Sequence, residues 1–237
     1  MQMILKFQPD RPLRLPFNYQ YQLQSAIYAK LEEIDVSDFW HDEGFGESRK
    51  FKAFTFSPLR GKYTVDKANS KLLYEGGVSL ELRSPIFSFC DDMQRALELN
   101  PRLRLFDTVL TLTSASLSNV HINRNEVVFR TQSPILIYKR LENGKTHYFS
   151  PDEDEFYNGI CNNYERKFEA VFGFPAEPVQ LRPAGQFKKV VTHYKSTVLT
   201  AYQGVFEVRG TPASLEFLYN AGLGSKNPQG FGFVSIL

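Results

Sequence analysis

The stretch "TPASLEFLYNAGLGSKNPQGFGFVSIL" (residues 211–237) reads as a helix, a glycine loop and a strand in succession. Thr211 has the hydroxyl of a helix cap, Pro212 fits the first helical position, and Gly222 ends the helix. "FGFVSIL" (231–237) is the strand. Between them, "GLGSKNPQGFG" (222–232) holds four glycines in two Gly-x-Gly pairs with five residues between. Such pairs allow positive φ and close approach of another backbone. Successive outward N–H groups in such a turn form a concave anion site. Lys226 adds a point charge, and Asn227 adds donors and an acceptor. Gly224 and Gly230 are predicted to sit tightest against other backbone. A helix cap followed by a turn accounts for two of the four glycines, not for both pairs. The loop is not a dinucleotide fingerprint, which follows a strand and opens a helix, and it lacks the G-K-[ST] of a phosphate-binding P-loop.

The same alternation of elements extends upstream. "NEVVFRT" (125–131) and "ILIYKRL" (135–141) read as strands, and "DEDEFYNGICNNYERKFEAVFG" (152–173) as a helix with acids where its dipole favours them. "FKKVVTHYK" (187–195) and "TVLTAYQGVFEVRG" (197–210) read as adjacent strands. The first half repeats the order: strand "MILKFQP" (3–9), a helix striped by Tyr19, Leu23, Ile27, Leu31 and Ile34, strands "FKAFTFSPL" (51–59), "KYTVD" (62–66) and "GVSLELRSP" (77–85), a helix with Phe89, Met93, Ala96 and Leu97 on one side, and strand "DTVLTLTSASL" (107–117). Pro16 and Asn18 suit the entrance of the first helix. Each half is a β-α-β-β-α-β unit. The predicted fold is α+β, two tandem ferredoxin-like units over 1–120 and 121–237, repeated in element order and not residue by residue.

Composition is that of a folded protein, 42% hydrophobic and 23% charged, with 21 Phe and 12 Tyr that leave rings for a stacking surface. No apolar run is long enough to span a membrane, and "MQMILKFQPDRPLRLPF" is too charged for a secretory signal. Cys90 and Cys161 offer neither a disulfide framework nor zinc spacing. The expectation is a cytoplasmic protein without cofactor or metal. The net charge is only +2, but it is unevenly spread. Residues 149–181 carry seven acids and two bases. Residues 47–67 and 182–237 each carry six bases and two acids. Two solvated basic surfaces or a polyanion site both fit that distribution.

Gly-Leu-Gly, five residues, then Gly-Phe-Gly resembles the hallmark loop of the CRISPR-associated RAMP superfamily, and within it the repeat-processing endoribonucleases. "GSKNPQGFGFV" (224–234) is very near that family's wording. "LPFNYQYQLQSAIYAKL" (15–31) is similar to its first helix, and "KAFTFSPL" (52–59) to its second strand. The resemblance spans the chain and implies paired ferredoxin-like units. It implies metal-independent cleavage of CRISPR repeat RNA by the ribose 2′-OH, leaving a 2′,3′-cyclic phosphate and a 5′-OH. The alternative it leaves open is a non-cleaving RNA-binding subunit of a CRISPR effector complex. The partner implied is repeat RNA; other effector subunits and a homodimer are compatible with it.

That reaction needs a base, a proton donor for the leaving oxygen, and positive charge on the phosphorane. By motif position the resemblance assigns Tyr28, His41 and Lys52 as catalytic residues. Tyr28 lies one residue off the helix stripe, at a groove edge. His41 sits in a loop, and His193 is the alternative acid/base histidine. "DEGFGESRKF" (42–51) is longer than the family's spacing, and its two glycines predict a His41 that moves until RNA binds. The RNA-binding set is Arg49, Lys50, Lys188, Lys189, His193 and Lys195, together with Gly222, Gly224, Ser225, Lys226, Asn227, Gly230 and Gly232. On "FKKVVTHYKS" (187–196), Lys189, His193 and Lys195 share strand parity and suit successive phosphates, with Tyr194 on the other face. A lysine-protected edge strand is the competing reading.

Overall fold

The computed structural model describes residues 1–46 and 50–237, and of His41 and Asp42 only the backbone. The first half comprises β1 (Gln2–Pro9), β2 (Leu13–Pro16), α1 (Gln20–Glu32), β3 (Thr55–Phe56), β4 (Tyr63–Asp66), β5 (Lys71–Tyr74), β6 (Val78–Arg83), α2 (Phe87–Leu99), β7 (Arg102–Leu105) and β8 (Thr108–Ser118). Its main sheet has the order β3-β6-β1-β8-β7, with every pair antiparallel. Without the edge strand β7, this is the strand order of a ferredoxin-like unit. Alternation sets one face: Met3, Leu5 and Phe7 of β1 and Leu80 and Leu82 of β6 are buried. Leu23, Ile27 and Leu31 of α1 and Phe89, Met93 and Leu97 of α2 join them in one cluster. Each such aliphatic side chain contributes about 1.5–3 kcal/mol by burial.

The second half comprises β9 (Glu126–Thr131), β10 (Tyr138–Arg140), β11 (Thr146–Tyr148), α3 (Asp154–Phe172), β12 (Gln180–Pro183), β13 (Lys188–Tyr194), β14 (Thr197–Gln203), β15 (Val205–Arg209), α4 (Pro212–Ala221) and β16 (Val234–Ile236). Its sheet has the order β12-β15-β9-β16, again antiparallel and ferredoxin-like. Thr211 caps α4 by accepting from the Ser214 amide (3.2 Å). A separate core contains Phe129, Phe156, Phe206 and Leu218. Two hairpins, β10–β11 and β13–β14, stand outside this sheet.

Several elements differ from the sequence reading, each for a local reason. The expected strand 51–59 keeps only Thr55–Phe56 in the ladder: upstream, Phe51 pairs with Phe45 instead, and downstream Pro58 has no amide to donate, so the chain bonds β6 at Ser57 and again at Arg60. The expected strand 135–141 is interrupted because carbonyls of Pro134 and Leu136 accept from Gly232 and Ser225 of the glycine loop. "TVLTAYQGVFEVRG" splits at Gly204, where the chain passes from the hairpin into the central sheet. Pro16, expected with Asn18 at the helix entrance, instead ends the strand Leu13–Pro16 that pairs with β5, and α1 begins at Gln20. No helix among the described residues is long and apolar enough to cross a membrane.

Candidate RNA-binding and catalytic cleft

A cleft of about 920 Å³ opens between the two halves. One wall is the face of α1 carrying Tyr21, Gln24 and Tyr28, with Lys50 and Lys52 beside it. The other wall is the glycine loop, Tyr138 and the tip of the β13–β14 hairpin. Among the described residues, five lysines and two carboxylates line it (Lys50, Lys52, Lys167, Lys195 and Lys226 against Glu32 and Asp38), a positive balance.

Tyr28 is half-buried and meets Phe54 edge-on at 5.7 Å, a contact that fixes its ring. The Lys52 stem and ammonium lie over Gly44: a Cβ there would stand 3.0 Å from Lys52 Cδ and 3.1 Å from Nζ. Gly44, at φ +58°, thus makes room for the lysine. His41 belongs to a single π-helical turn, Phe39–Glu43. Trp40, beside it, is 1% exposed, donates to Asp92 Oδ2 on α2 (3.0 Å) and meets Phe89 edge-on. Phe45 and Phe51 pair across the base of the following loop through two backbone hydrogen bonds (2.8 and 2.7 Å). The backbone turn that carries His41 is thus joined to α2 through Trp40, and the Phe45–Phe51 pair brings the chain together ahead of Lys52.

The glycine loop is a closed clasp. Leu223, inside the first Gly-x-Gly pair, donates its amide to Gly232 O (2.9 Å). Asn227, 3% exposed, sits at the centre, and its Nδ2 donates to Leu223 O and Phe231 O (both 3.0 Å), the middle residues of the two pairs. Both pairs are needed because each closes on the other. Gly232, at φ +71°, is the tightest position, since a Cβ there would run into the Leu223 carbonyl. The expectation that Gly224 and Gly230 sit tightest against backbone is corrected: Gly224 meets the Ile135 side chain first and the Leu136 carbonyl second, and Gly230 packs on side chains, Gln20 of α1 and Phe56 of β3. Gly230 thus serves contact between the halves. The row of outward N–H groups is also corrected: the amides of Leu223, Ser225, Gly230 and Gly232 are taken by carbonyls of this chain.

Among the residues singled out in the sequence, the cleft gathers Tyr28, Lys50, Lys52, Lys195 and, from the loop, Gly224, Ser225, Lys226 and Asn227. Gly222, Gly230 and Gly232 are buried in the clasp. Lys188, Lys189 and His193 are exposed on the hairpin and do not line the cleft. Lys195 is not part of the strand but of its turn, at φ +54°, so it leaves the parity of Lys189 and His193 and turns to α1, with Nζ 4.6 Å from the Tyr21 ring. Arg49 lies outside the described residues. The sequence reading missed Lys167, a 6%-exposed lysine of α3 bonded to the glycine loop, and it placed Tyr194 on the other face, whereas Tyr194 lines the cleft and its Oη donates to Gln24 Oε1 of α1. Burial, with Tyr21 and Tyr28 nearby, pushes the Tyr194 hydroxyl pKa up, so it stays protonated as that donor. Among the described residues, no three His, Cys, Asp or Glu side chains are grouped as a metal site.

Lys195 and Lys226 both line the cleft from left-handed backbone, φ +54° and +62°, which costs a non-glycine residue roughly 1–2 kcal/mol. Lys226→Gly is expected to raise the melting temperature and weaken binding of RNA. If Lys226 holds a phosphate, its removal lowers the salt dependence of affinity by about one unit of slope. Melting curves and affinities over a salt series check both; unchanged affinity would make Lys226 a turn residue only.

A paired ferredoxin-like protein with a clasped glycine loop on a basic cleft is the class defined by fold and site. The C-terminal model of the CRISPR-associated protein Cas6 matches residues 117–236, and the Cas6 N-terminal model matches residues 14–116. The chain belongs to the Cas6 family of CRISPR-associated proteins. It is 28% identical to "CRISPR-associated endoribonuclease Cas6 1" of Methanocaldococcus jannaschii, over 99% of this chain and 92% of that protein. It is 27% identical to "CRISPR-associated endoribonuclease Cas6" of Pyrococcus furiosus, over 96% and 85%. A solved "CRISPR associated protein Cas6" superposes with a TM-score of 0.83 at 26% identity, covering 100% of this chain and 99% of that one.

Proposed function

We propose that this protein is a metal-independent endoribonuclease that cuts CRISPR repeat RNA in precursor transcripts. The observation that carries the reading is convergence: Tyr28 of α1, Lys52 before β3 and the loop's Ser225 and Lys226 line one cleft from both halves. Its relatives named as CRISPR-associated endoribonucleases support it.

In the proposed reaction the 2′-oxygen bonds to the adjacent phosphorus as its proton leaves. The bond from phosphorus to the 5′-oxygen breaks, and that oxygen takes up a proton. The products are a 2′,3′-cyclic phosphate and a 5′-OH. His41 is the acid/base group, Tyr28 a hydroxyl donor at the reacting phosphate, and Lys52 the charge that stabilises the phosphorane. Lys50, Lys195 and Lys226 hold phosphates and fix register. The exposed hairpin face with Lys189 and His193 supports the RNA outside the cleft.

Purified protein incubated with repeat RNA and EDTA is expected to cut it. Cutting should stop when the nucleotide before the cut carries a 2′-deoxy sugar. Metal-dependent cutting of the deoxy substrate would overturn the mechanism. Tight binding with no cutting of either RNA would favour a non-cleaving effector subunit.

A further inference from the structure

Lys167 projects from α3 against the glycine loop, at the wall of the cleft. Its Nζ donates to Gly222 O (3.1 Å), Gly224 O (3.1 Å) and Asn227 Oδ1 (2.6 Å). The side chain is 6% exposed. Burying an ammonium is costly unless acceptors replace its water, and three acceptors converge here. Gly222 is the C-cap of α4, so the charge also meets the negative end of that helix. Asn227, held by the lysine, in turn holds Leu223 O and Phe231 O. The chain of contacts therefore runs from one ammonium, through one amide, to both glycine pairs. The adjacent residues Ser225 and Lys226 line the cleft, and the turn Asn227–Gln229 leads to Gly230, seated on α1 and β3.

We propose that Lys167 is the positioning residue of the glycine loop: its charge sets where Lys226 stands, and so the loop's grip on RNA. The proposal rests on the RNA-binding reading of the cleft, and it deepens that reading by naming the residue that aims the loop. A glycine-rich segment has a large backbone entropy to lose on ordering. A multiply bonded buried charge offsets that loss in the free protein, so less of it falls on RNA binding.

The test is a double-mutant cycle on repeat-RNA affinity between Lys167→Met, which keeps the apolar stem, and Lys226→Ala. In the parent protein Lys226→Ala is expected to weaken binding about tenfold or more, as removal of a hydrogen bond to a charged group does. In the Lys167→Met background it should cost less than about threefold, because Lys226 is already out of position. Lys167→Met alone should leave the slope of affinity against salt contributed by other lysines intact. Additive effects, or a unit drop in slope from Lys167→Met at unchanged Lys226 contribution, would make Lys167 a direct phosphate contact and overturn the proposal. So would wild-type binding by Lys167→Met.

If Lys167→Met fails to fold, Asn227→Ala takes its place in the cycle, with the same expected collapse of the Lys226 effect. Hydrogen exchange without RNA separates this proposal from the functional one. The Ser225 and Gly232 amides, bonded to Leu136 O and Pro134 O, should exchange faster in either variant. Unchanged exchange overturns the positioning role whatever the protein does to RNA. Faster exchange in a protein that binds no repeat RNA overturns the functional reading and leaves Lys167 as the residue that orders the loop.

Discussion

His41→Ala is expected to slow single-turnover cleavage of repeat RNA by about 10²–10⁴-fold, the usual contribution of one positioned acid/base group. RNA affinity should change little, because the lysines proposed to hold phosphate are untouched. The expectation draws on where the residue's backbone stands. The turn Phe39–Glu43 is fixed on α2 by the Trp40–Asp92 hydrogen bond, and the chain returns through the Phe45–Phe51 pair to Lys52, a cleft residue. His193 is the control: exposed on the hairpin, it does not line the cleft. His193→Ala should therefore affect affinity for longer RNA at most. The reverse result, a slow His193→Ala enzyme beside a normal His41→Ala enzyme, would move the chemistry out of the cleft. Lys52→Ala gives a second check, since loss of charge on the phosphorane lowers the rate more than the affinity.

The paired β-α-β-β-α-β order was legible because helix stripes and strand alternation are local signals. Leu23, Ile27 and Leu31 are buried as their spacing requires, and Thr211, Pro212 and Gly222 frame α4 as their chemistry requires. Strand lengths were less legible where a neighbour far along the chain competes for backbone hydrogen bonds. Nothing near Pro134–Leu136 announces that its carbonyls are taken by the glycine loop about ninety residues later. Short edge strands such as Leu13–Pro16 and Gln180–Pro183 carry too few alternations to stand out from loops.

The site was legible where a motif carries it and obscure where packing does. The glycine pairs announced a tight loop, but not that one pair closes on the other. Lys167 reads in sequence as an ordinary polar position of an amphipathic helix, "NYERKFEAVF". Only the third dimension places three oxygens around its ammonium. Lys195 fits strand parity on paper, yet a two-residue turn takes it out of the strand and over Tyr21. A similar inversion occurs on β6. "VSLELR" alternates as if Glu81 and Arg83 faced water, but both are buried.

Glu81→Ala is expected to destabilise the protein by about 3–5 kcal/mol, because it leaves a buried cation without its counter-charge. Arg83 is 2% exposed and Glu81 4%. Glu81 Oε1 accepts from Arg83 Nε (2.6 Å) and lies 2.5 Å from Nη2, while Oε2 pairs with the half-exposed Arg60 (3.0 Å). Arg83 then crosses to the second half, where Nη1 donates to Val234 O of β16 (2.7 Å). Its guanidinium lies 3.6 Å from the Tyr219 ring centre and 4.0 Å from that of Phe233. Burial lowers the arginine's pKa and the Glu81 charge opposes that shift, so removing the carboxylate removes what holds the cation there. At about 2–4 °C per kcal/mol for a chain of this size, the melting temperature should fall by roughly 6–20 °C. Exposed Arg209–Glu126 is the comparison: Glu126→Ala should cost less than about 1 kcal/mol. Equal small losses for the two variants would mean that Arg83 reaches water and does not anchor the halves. Changing both partners, Glu81→Met with Arg83→Met, should recover only part of the loss, because the Val234 carbonyl is then left without its donor. Cleavage should slow in the Glu81→Ala protein even well below its melting temperature, since α1 with Lys52 and the glycine loop with Lys226 stand on opposite sides of this joint.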